Sequence, residues 1–328
     1  MTNAVNLASA AGTGFAFRNR IINGDMRIDQ RNAGASVGTG SGSSGYSVDR
    51  WFHEYSQVSK FTLQQNAGAV SPPAGFRGYL GATSSSAYSV AAGDYFIVGQ
   101  RIEGLNMSDL WWGTSSAATV TLSFWVRSSL TGTFGGAIRN RVGARSYPFT
   151  YSVASANTWE FKTITIAGDT SGSWDTDNSI GLHLSFGLGV GSTYSASGGS
   201  WQAGNFLSAT GATSVVGTNG ATLYITGVQL EVGSVATPFE RRLYGQELAL
   251  CQRYYARSGS IYVTNQTAAT VAVTGQGSFP VTMRTSPTLS ATSTSGLSVN
   301  EYRDIQFGLS IAAFSGYSTG TITGNAEL

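Results

Sequence analysis

Ile225-Thr226-Gly227-Val228-Gln229-Leu230-Glu231-Val232-Gly233-Ser234-Val235-Ala236-Thr237-Pro238-Phe239-Glu240 carries an alternating apolar pattern into a proline-marked exit. Gly245-Gln246-Glu247-Leu248-Ala249-Leu250-Cys251-Gln252-Arg253-Tyr254-Tyr255 follows at once with helical spacing. A strand delivered through a proline to a short helix marks a boundary, and everything before it reads as β structure. Residues 118 to 127 alternate, with Val120, Leu122, Phe124 and Val126 on one face, and residues 161 to 166 do the same. Residues 180 to 186 and 223 to 230 complete the clearest set. Several such strands between about residues 20 and 240, joined by long Gly/Ser loops, predict an all-β chain built on a β-sandwich.

The composition agrees. A chain of 328 residues is long enough for about two domains with real cores. Glycine is 43 of those residues and charged residues only 11%, which suits turns and Ser/Thr strands better than charged helices. A hydrophobic content of 41% argues against disorder, and no apolar stretch approaches the ~18 residues of a membrane span. A formal charge of +2, with no basic cluster along an aromatic stripe, argues against a nucleic-acid partner. The single cysteine, Cys251, cannot form an intramolecular disulfide, and its place in an apolar stripe predicts burial. Lys60 and Lys162 are the only lysines, so arginine supplies 17 of the 19 basic residues. Arginine pairs in a planar, bidentate way that suits interfaces, although codon bias in the source genome explains the excess equally well.

The block Gly227-Val228-Gln229-Leu230-Glu231-Val232-Gly233, Ala236-Thr237-Pro238-Phe239-Glu240, then Tyr244-Gly245 and Leu250-Cys251-Gln252-Arg253-Tyr254-Tyr255, resembles one that recurs in bacteriophage tail-fibre and related virion proteins. Residues 18 to 31 (Arg18-Asn19-Arg20-Ile21-Ile22-Asn23-Gly24-Asp25 onward) and Tyr46-Ser47-Val48-Asp49-Arg50-Trp51 are similar to the opening of the same proteins, and residues 279 to 288 to their C-terminal region. The strand order also resembles jelly-roll carbohydrate-binding modules: Asn23-Gly24-Asp25-Met26, a middle Thr121-Leu122-Ser123-Phe124-Trp125, Trp159-Glu160-Phe161, and a closing Val228-Gln229-Leu230-Glu231. Those modules often carry an aspartate where this chain has Gly227, so their metal site does not transfer and a metal stays unassigned. The resemblance implies a virion protein, made in the bacterial host cytoplasm and exposed on the released particle, most simply a homotrimeric tail fibre that contacts a host-surface glycan or receptor. The N-terminus has no basic start followed by an apolar run, in keeping with cytoplasmic synthesis.

Four segments are expected. Residues 1–17, small and uncharged, form an arm that attaches to other virion proteins. Residues 18–240 form the jelly-roll β-sandwich, 241–257 a linking helix, and 258–328 a smaller C-terminal β domain with strands near 260–263, 269–273, 277–284 and 305–311. All seven tryptophans lie between Trp51 and Trp201, which marks the change of character after residue 240. No period of 20 to 50 residues repeats, against a fibrous β-helix. On the helix, Tyr244, Leu248, Cys251 and Tyr255 fall on one stripe that needs a partner surface, either the sandwich or the same helix of other subunits. That stripe is the candidate oligomerisation surface.

Catalytic chemistry is sparse. His53 and His183 are far apart, and His183, between Leu182 and Leu184, is expected to point away from their face as a surface or interface residue. Without HExxH, cysteine pairs or a Cys/His cluster there is no zinc signature. The glycine-rich runs at 38–42 and 187–191 lack the Lys-Ser/Thr and helix of a phosphate loop. Asp175 and Asp177 are close enough to suggest the paired carboxylates of glycoside hydrolysis, but a DxDN turn more simply satisfies its own backbone or holds a loop cation. No enzyme activity and no cofactor are expected. The glycan-binding candidates are aromatic: the adjacent Trp111 and Trp112, of which one should face the core and the other solvent, with Tyr88, Tyr194 and Trp201 in loop-like surroundings. Three functions compete: a receptor-binding fibre, a purely structural head-decoration, collar or tail-assembly protein, and a glycan depolymerase using Asp175 or Asp177.

Overall fold

The computed structural model describes residues 18–40, 42–258, 261–265, 273–293, 297–302, 306–311 and 316–328; the attachment arm expected over 1–17 lies outside them. The strands before the helix are β1 (Val37–Gly38), β2 (Ser44–Tyr46), β3 (Trp51–Tyr55), β4 (Phe61–Gln65), β5 (Leu80–Ser84), β6 (Tyr95–Glu103), β7 (Val120–Ser128), β8 (Gly132–Arg139), β9 (Arg145–Val153), β10 (Glu160–Ile166), β11 (Ile180–Val190), β12 (Ser195–Ala196), β13 (Gln202–Ala203), β14 (Ser208–Ala209) and β15 (Thr222–Val232). They build a jelly-roll sandwich of two antiparallel sheets, one ordered β1-β4-β5-β15-β7-β10 and the other β13-β9-β8-β11-β6-β3-β2.

Alternation explains the core. Val120, Leu122, Phe124 and Val126 of β7 all face inward without exposure, as do Leu182, Leu184, Phe186 and Leu188 of β11 in the opposite sheet. The rings of Phe124 and Phe186 meet edge to face at 5.0 Å. Each such side chain contributes about 1.5–3 kcal/mol by leaving water. The predicted strands at 118–127, 161–166, 180–186 and 223–230 all form, within a few residues at each end.

The closing strand β15 lies between β5 and β7, and its pairing with β7 slips between Thr226 and Gln229. Gly227 sits at the slip with φ of 61°, and a Cβ there would come 2.6 Å from the Phe76 ring. Any side chain at this position would be strained and would have to displace the Phe76 ring. Asn19 stitches the opening of the chain to the same strand, its Nδ2 donating to the Val228 carbonyl at 3.0 Å and its Oδ1 accepting from the Leu230 amide at 3.1 Å.

The helix α1 spans Tyr244–Gln252, shorter than the sequence pattern suggests. Its buried residues are Glu247 and Cys251, and Cys251 packs with Ile22, Ile28 and Tyr254. Two expectations are corrected. Tyr244 is 56% exposed, and Tyr255 lies beyond the helix at the start of a strand, so neither belongs to a buried helical stripe. Tertiary charge pairing overrides the periodicity: Glu247 accepts from the Asn23 amide and from Arg242 at 3.3 Å, turning the helix so that a carboxylate faces inward. The inward side of α1 packs on Ile22, Ile28 and Tyr254, while Leu243 and Tyr244 at its start stay exposed.

After α1 come β16 (Tyr255–Arg257), β17 (Ile261–Asn265), β18 (Val273–Ser278), β19 (Thr288–Ser293), β20 (Leu297–Tyr302), β21 (Gln306–Ile311) and β22 (Gly316–Asn325). They form a sheet ordered β16-β22-β17 with β19 also on β22, and a second ordered β18-β21-β20. The strand expected at 277–284 ends at Ser278, because Phe279 and Met283 turn inward to a small core with Ala256, Phe307 and Ile322. The expected strand residues 260, 269–272 and 305 lie outside the described residues. The last residues return to the sandwich: Glu327 pairs with the buried Arg50 and with Arg31 at 2.9 Å, and the Tyr46 hydroxyl donates to the Leu328 carbonyl at 2.9 Å.

Candidate functional site

The loop between β6 and β7 makes a short 3-10 turn, Ser108–Leu110, and leaves it through Trp111 in the left-handed region, at φ 54° and ψ 26°. This conformation sends two neighbouring indoles in opposite directions. Trp111 stands 63% exposed, whereas Trp112 is 7% exposed and donates its Nε1–H to the Ala118 carbonyl at 2.8 Å. The sequence expectation of one inward and one outward indole holds, through a turn and not a strand.

Trp112 lies in a trio of mutually edge-on indoles. Its ring centroid is 4.7 Å from that of Trp174 and 5.3 Å from that of Trp201, and Trp174 and Trp201 are 5.4 Å apart. Trp201 and Trp174 spend their N–H groups on the carbonyls of Ala167, at 2.7 Å, and Ser171, at 3.3 Å. Asp169 sets the loops around them: it accepts two hydrogen bonds from Arg145, at 2.8 and 2.6 Å, and its carbonyl accepts from the Gly113 amide at 2.7 Å. Over the trio opens a cleft of about 300 Å³, with Trp111 at its rim, Trp112 and Trp174 in its wall, and Ser108, Thr114 and Asp175 offering polar groups. An exposed flat ring beside hydroxyl and carboxylate acceptors can stack on an apolar sugar face and accept from its hydroxyls.

Of the aromatic candidates, the structure brings Trp111, Trp112 and Trp201 together, with Trp112 and Trp201 supporting from beneath. Tyr88 lies apart, edge-on to Phe96 at 5.6 Å with its hydroxyl on Asp94 at 2.8 Å. Tyr194 also lies apart, edge-on to Tyr95 at 5.2 Å. Trp174 belongs to the cleft and did not stand out in the sequence; its one signal was its place directly before the DxDN turn.

The two aspartates of that turn have separate tasks. Asp175 pairs with Arg141 at 2.6 Å, and Asp177 accepts from the Ser179 amide at 2.9 Å in an Asx-turn. Hydrogen bonds from the Ser179 hydroxyl and amide hold the Asp177 carboxyl below its usual range, the reverse of what a general acid needs. Among the described residues, no group of three or more His, Cys, Asp or Glu is placed to hold a metal ion. The histidines need correction. His183 does turn away from Leu182 and Leu184, but it is 4% exposed, edge-on to Phe52 at 6.4 Å, because the 192–209 loop covers this face and Ser185 donates to the Leu207 carbonyl at 3.0 Å. His53 is equally buried, and desolvation pulls its imidazole down to about 4.

No protein-family model and no curated protein sequence matches the chain. Among solved structures, it is similar to a putative sugar binding protein from Bacteroides thetaiotaomicron, at 13% identity over 66% of this chain and 100% of that one, with a TM-score of 0.37. It is also similar to the family 11 carbohydrate-binding module from Clostridium thermocellum in complex with a β-1,3-1,4-mixed-linked tetrasaccharide, at 14% identity, 60% and 100% coverage and a TM-score of 0.29. A third similarity is to the enzymatically active domain of bacteriophage CBA120 tailspike protein 4, at 12% identity and a TM-score of 0.33, covering 66% of this chain and 22% of that one.

Proposed function

We propose that this chain is a non-enzymatic bacteriophage virion protein of the tail-fibre type, which contacts host-surface glycan through the cleft at Trp111. The observation that carries the reading is Trp111 itself. A large apolar side chain held 63% exposed, on a left-handed backbone that disfavours any side chain, serves the fold poorly. A ring fixed at the rim of a pre-formed cleft serves a ligand well, because little ordering entropy remains to be lost on binding. The virion assignment rests on the sequence blocks at 18–31 and 225–255, which pack against each other through Asn19, Asn23 and Glu247. Weak contacts of this kind become useful when several copies engage one surface, as in a trimer.

A depolymerase using Asp175 or Asp177 is disfavoured by their pairing with Arg141 and Ser179. A purely structural reading, as a head-decoration, collar or tail-assembly protein, has one observation in its favour: Leu243 and Tyr244 stand exposed together at the start of α1, 73% and 56%, as a protein contact would require. Adsorption of particles to host cells, measured with the Trp111→Ala protein, separates the two. Reduced adsorption with normal particle assembly supports glycan contact, and unchanged adsorption favours the structural role.

A further inference from the structure

On the outer face of the second sheet, three side chains stand side by side on adjacent strands: Arg101 of β6 pairs in register with His183 of β11, which pairs in register with Arg139 of β8. Arg101 is neutralised, since it forms an ion pair with Glu54 and also donates to the Leu328 carbonyl. Arg139 is not. It is 9% exposed, its side chain makes no ion pair or hydrogen bond among the described residues, and its Nε is buried without an acceptor while its terminal nitrogens reach solvent. His183, 4% exposed, has neither ring nitrogen paired. Desolvation first, then the charges of Arg139 and Arg101, hold its imidazole neutral, well below the usual range. Two adjacent polar groups, each more than nine-tenths buried and with unpaired nitrogens, are costly to the fold unless something completes them.

We propose that Arg139 and His183 form a binding site for a carboxylate, supplied by an acidic sugar of the uronic-acid class. The charges favour a monoanion: Glu54 forms its ion pair with Arg101 and its charge only reaches across to Arg139, the imidazole is neutral, and Arg139 is the guanidinium of the row without an ion pair of its own. A planar carboxylate fits the guanidinium fork with two parallel hydrogen bonds, and the neutral imidazole adds one N–H donor beside it. The sugar as the carrier of the carboxylate rests on the glycan reading above; the carboxylate site itself does not.

The 328-residue chain has two histidines, so their imidazole NMR signals report the site directly, with His53 on the inner face as control. Glucuronate is titrated, with glucose and acetate as comparisons. The expected result is a saturable shift of His183 alone with glucuronate, weaker with acetate and absent with glucose. In Arg139→Met the affinity falls about tenfold or more, the scale of a lost charged hydrogen bond. Folding stability of that variant is expected to hold or rise, since an unpaired buried charge is removed; a marked fall would assign Arg139 a structural role and overturn the proposal. A silent His183 at saturating glucuronate, with neutral-glycan binding at Trp111 intact, overturns it and leaves the glycan reading standing. An equal response to acetate overturns the sugar as the source.

Discussion

Replacing Trp111 by glycine separates a ligand contact from a packing residue. At 63% exposure the indole covers about a third of its surface, on the order of 80 Å², so its removal costs roughly 2 kcal/mol of burial. Its left-handed backbone costs about 1–2 kcal/mol that glycine does not incur, while the extra freedom of glycine in the unfolded chain takes back about 0.5–1 kcal/mol. The terms sum to a small net loss, and the Trp111→Gly protein is expected to be about 0.5–2 kcal/mol less stable than wild type by urea unfolding. Trp112→Ala, which empties the centre of the indole trio and orphans the Ala118 carbonyl, is expected to cost about 3–5 kcal/mol. Glycan affinity should behave in the opposite sense. Losing the stacked ring at Trp111 weakens binding by about 1 kcal/mol, or fivefold per site, and by more when several copies act together. A Trp111→Gly protein destabilised as much as Trp112→Ala would show that Trp111 is a structural residue, and unchanged glycan binding would remove the cleft as the contact.

Burial pushes the Asp49 carboxyl up to about 7 against the opposing hydrogen bonds of Gln30 and the charge of Arg31. With the folded value above the unfolded one, its stabilisation is complete in acid and is lost as pH rises from about 4 to about 7; Asp49→Asn should therefore gain on wild type across that window, and a pH-independent difference between their urea midpoints would refute the assignment. Glu327→Gln strands the guanidinium of Arg50, 1% exposed, and should loosen the last strand and its tail by about 3–5 kcal/mol, read as faster limited proteolysis after β22; equal digestion of both proteins would count against the contact. Deleting residues 1–17 should leave a folded trimer by mass measurement and abolish incorporation into particles. Normal incorporation removes the attachment role, and a stable monomer at micromolar concentration removes the trimer.

Much of this protein was legible in the chain because a strand writes its burial into every second residue. Val120 to Val126 and Leu182 to Phe186 predicted both sheets of the core, and the apolar setting of Cys251 predicted its burial, since these depend on near neighbours alone. The helix was half legible. Its existence followed from spacing, but its end at Gln252 and its inward Glu247 depend on Arg242 and on Asn23, a partner far away in the sequence. The site was legible only as types of residue. Which indole is exposed follows from one left-handed residue, and the gathering of Trp112, Trp174 and Trp201 follows from how three separate loops meet once the sheets have closed. The unpaired state of Arg139 and His183 lay beyond any local pattern, because whether a charge has a partner is decided by what the tertiary fold places within about 3 Å of it.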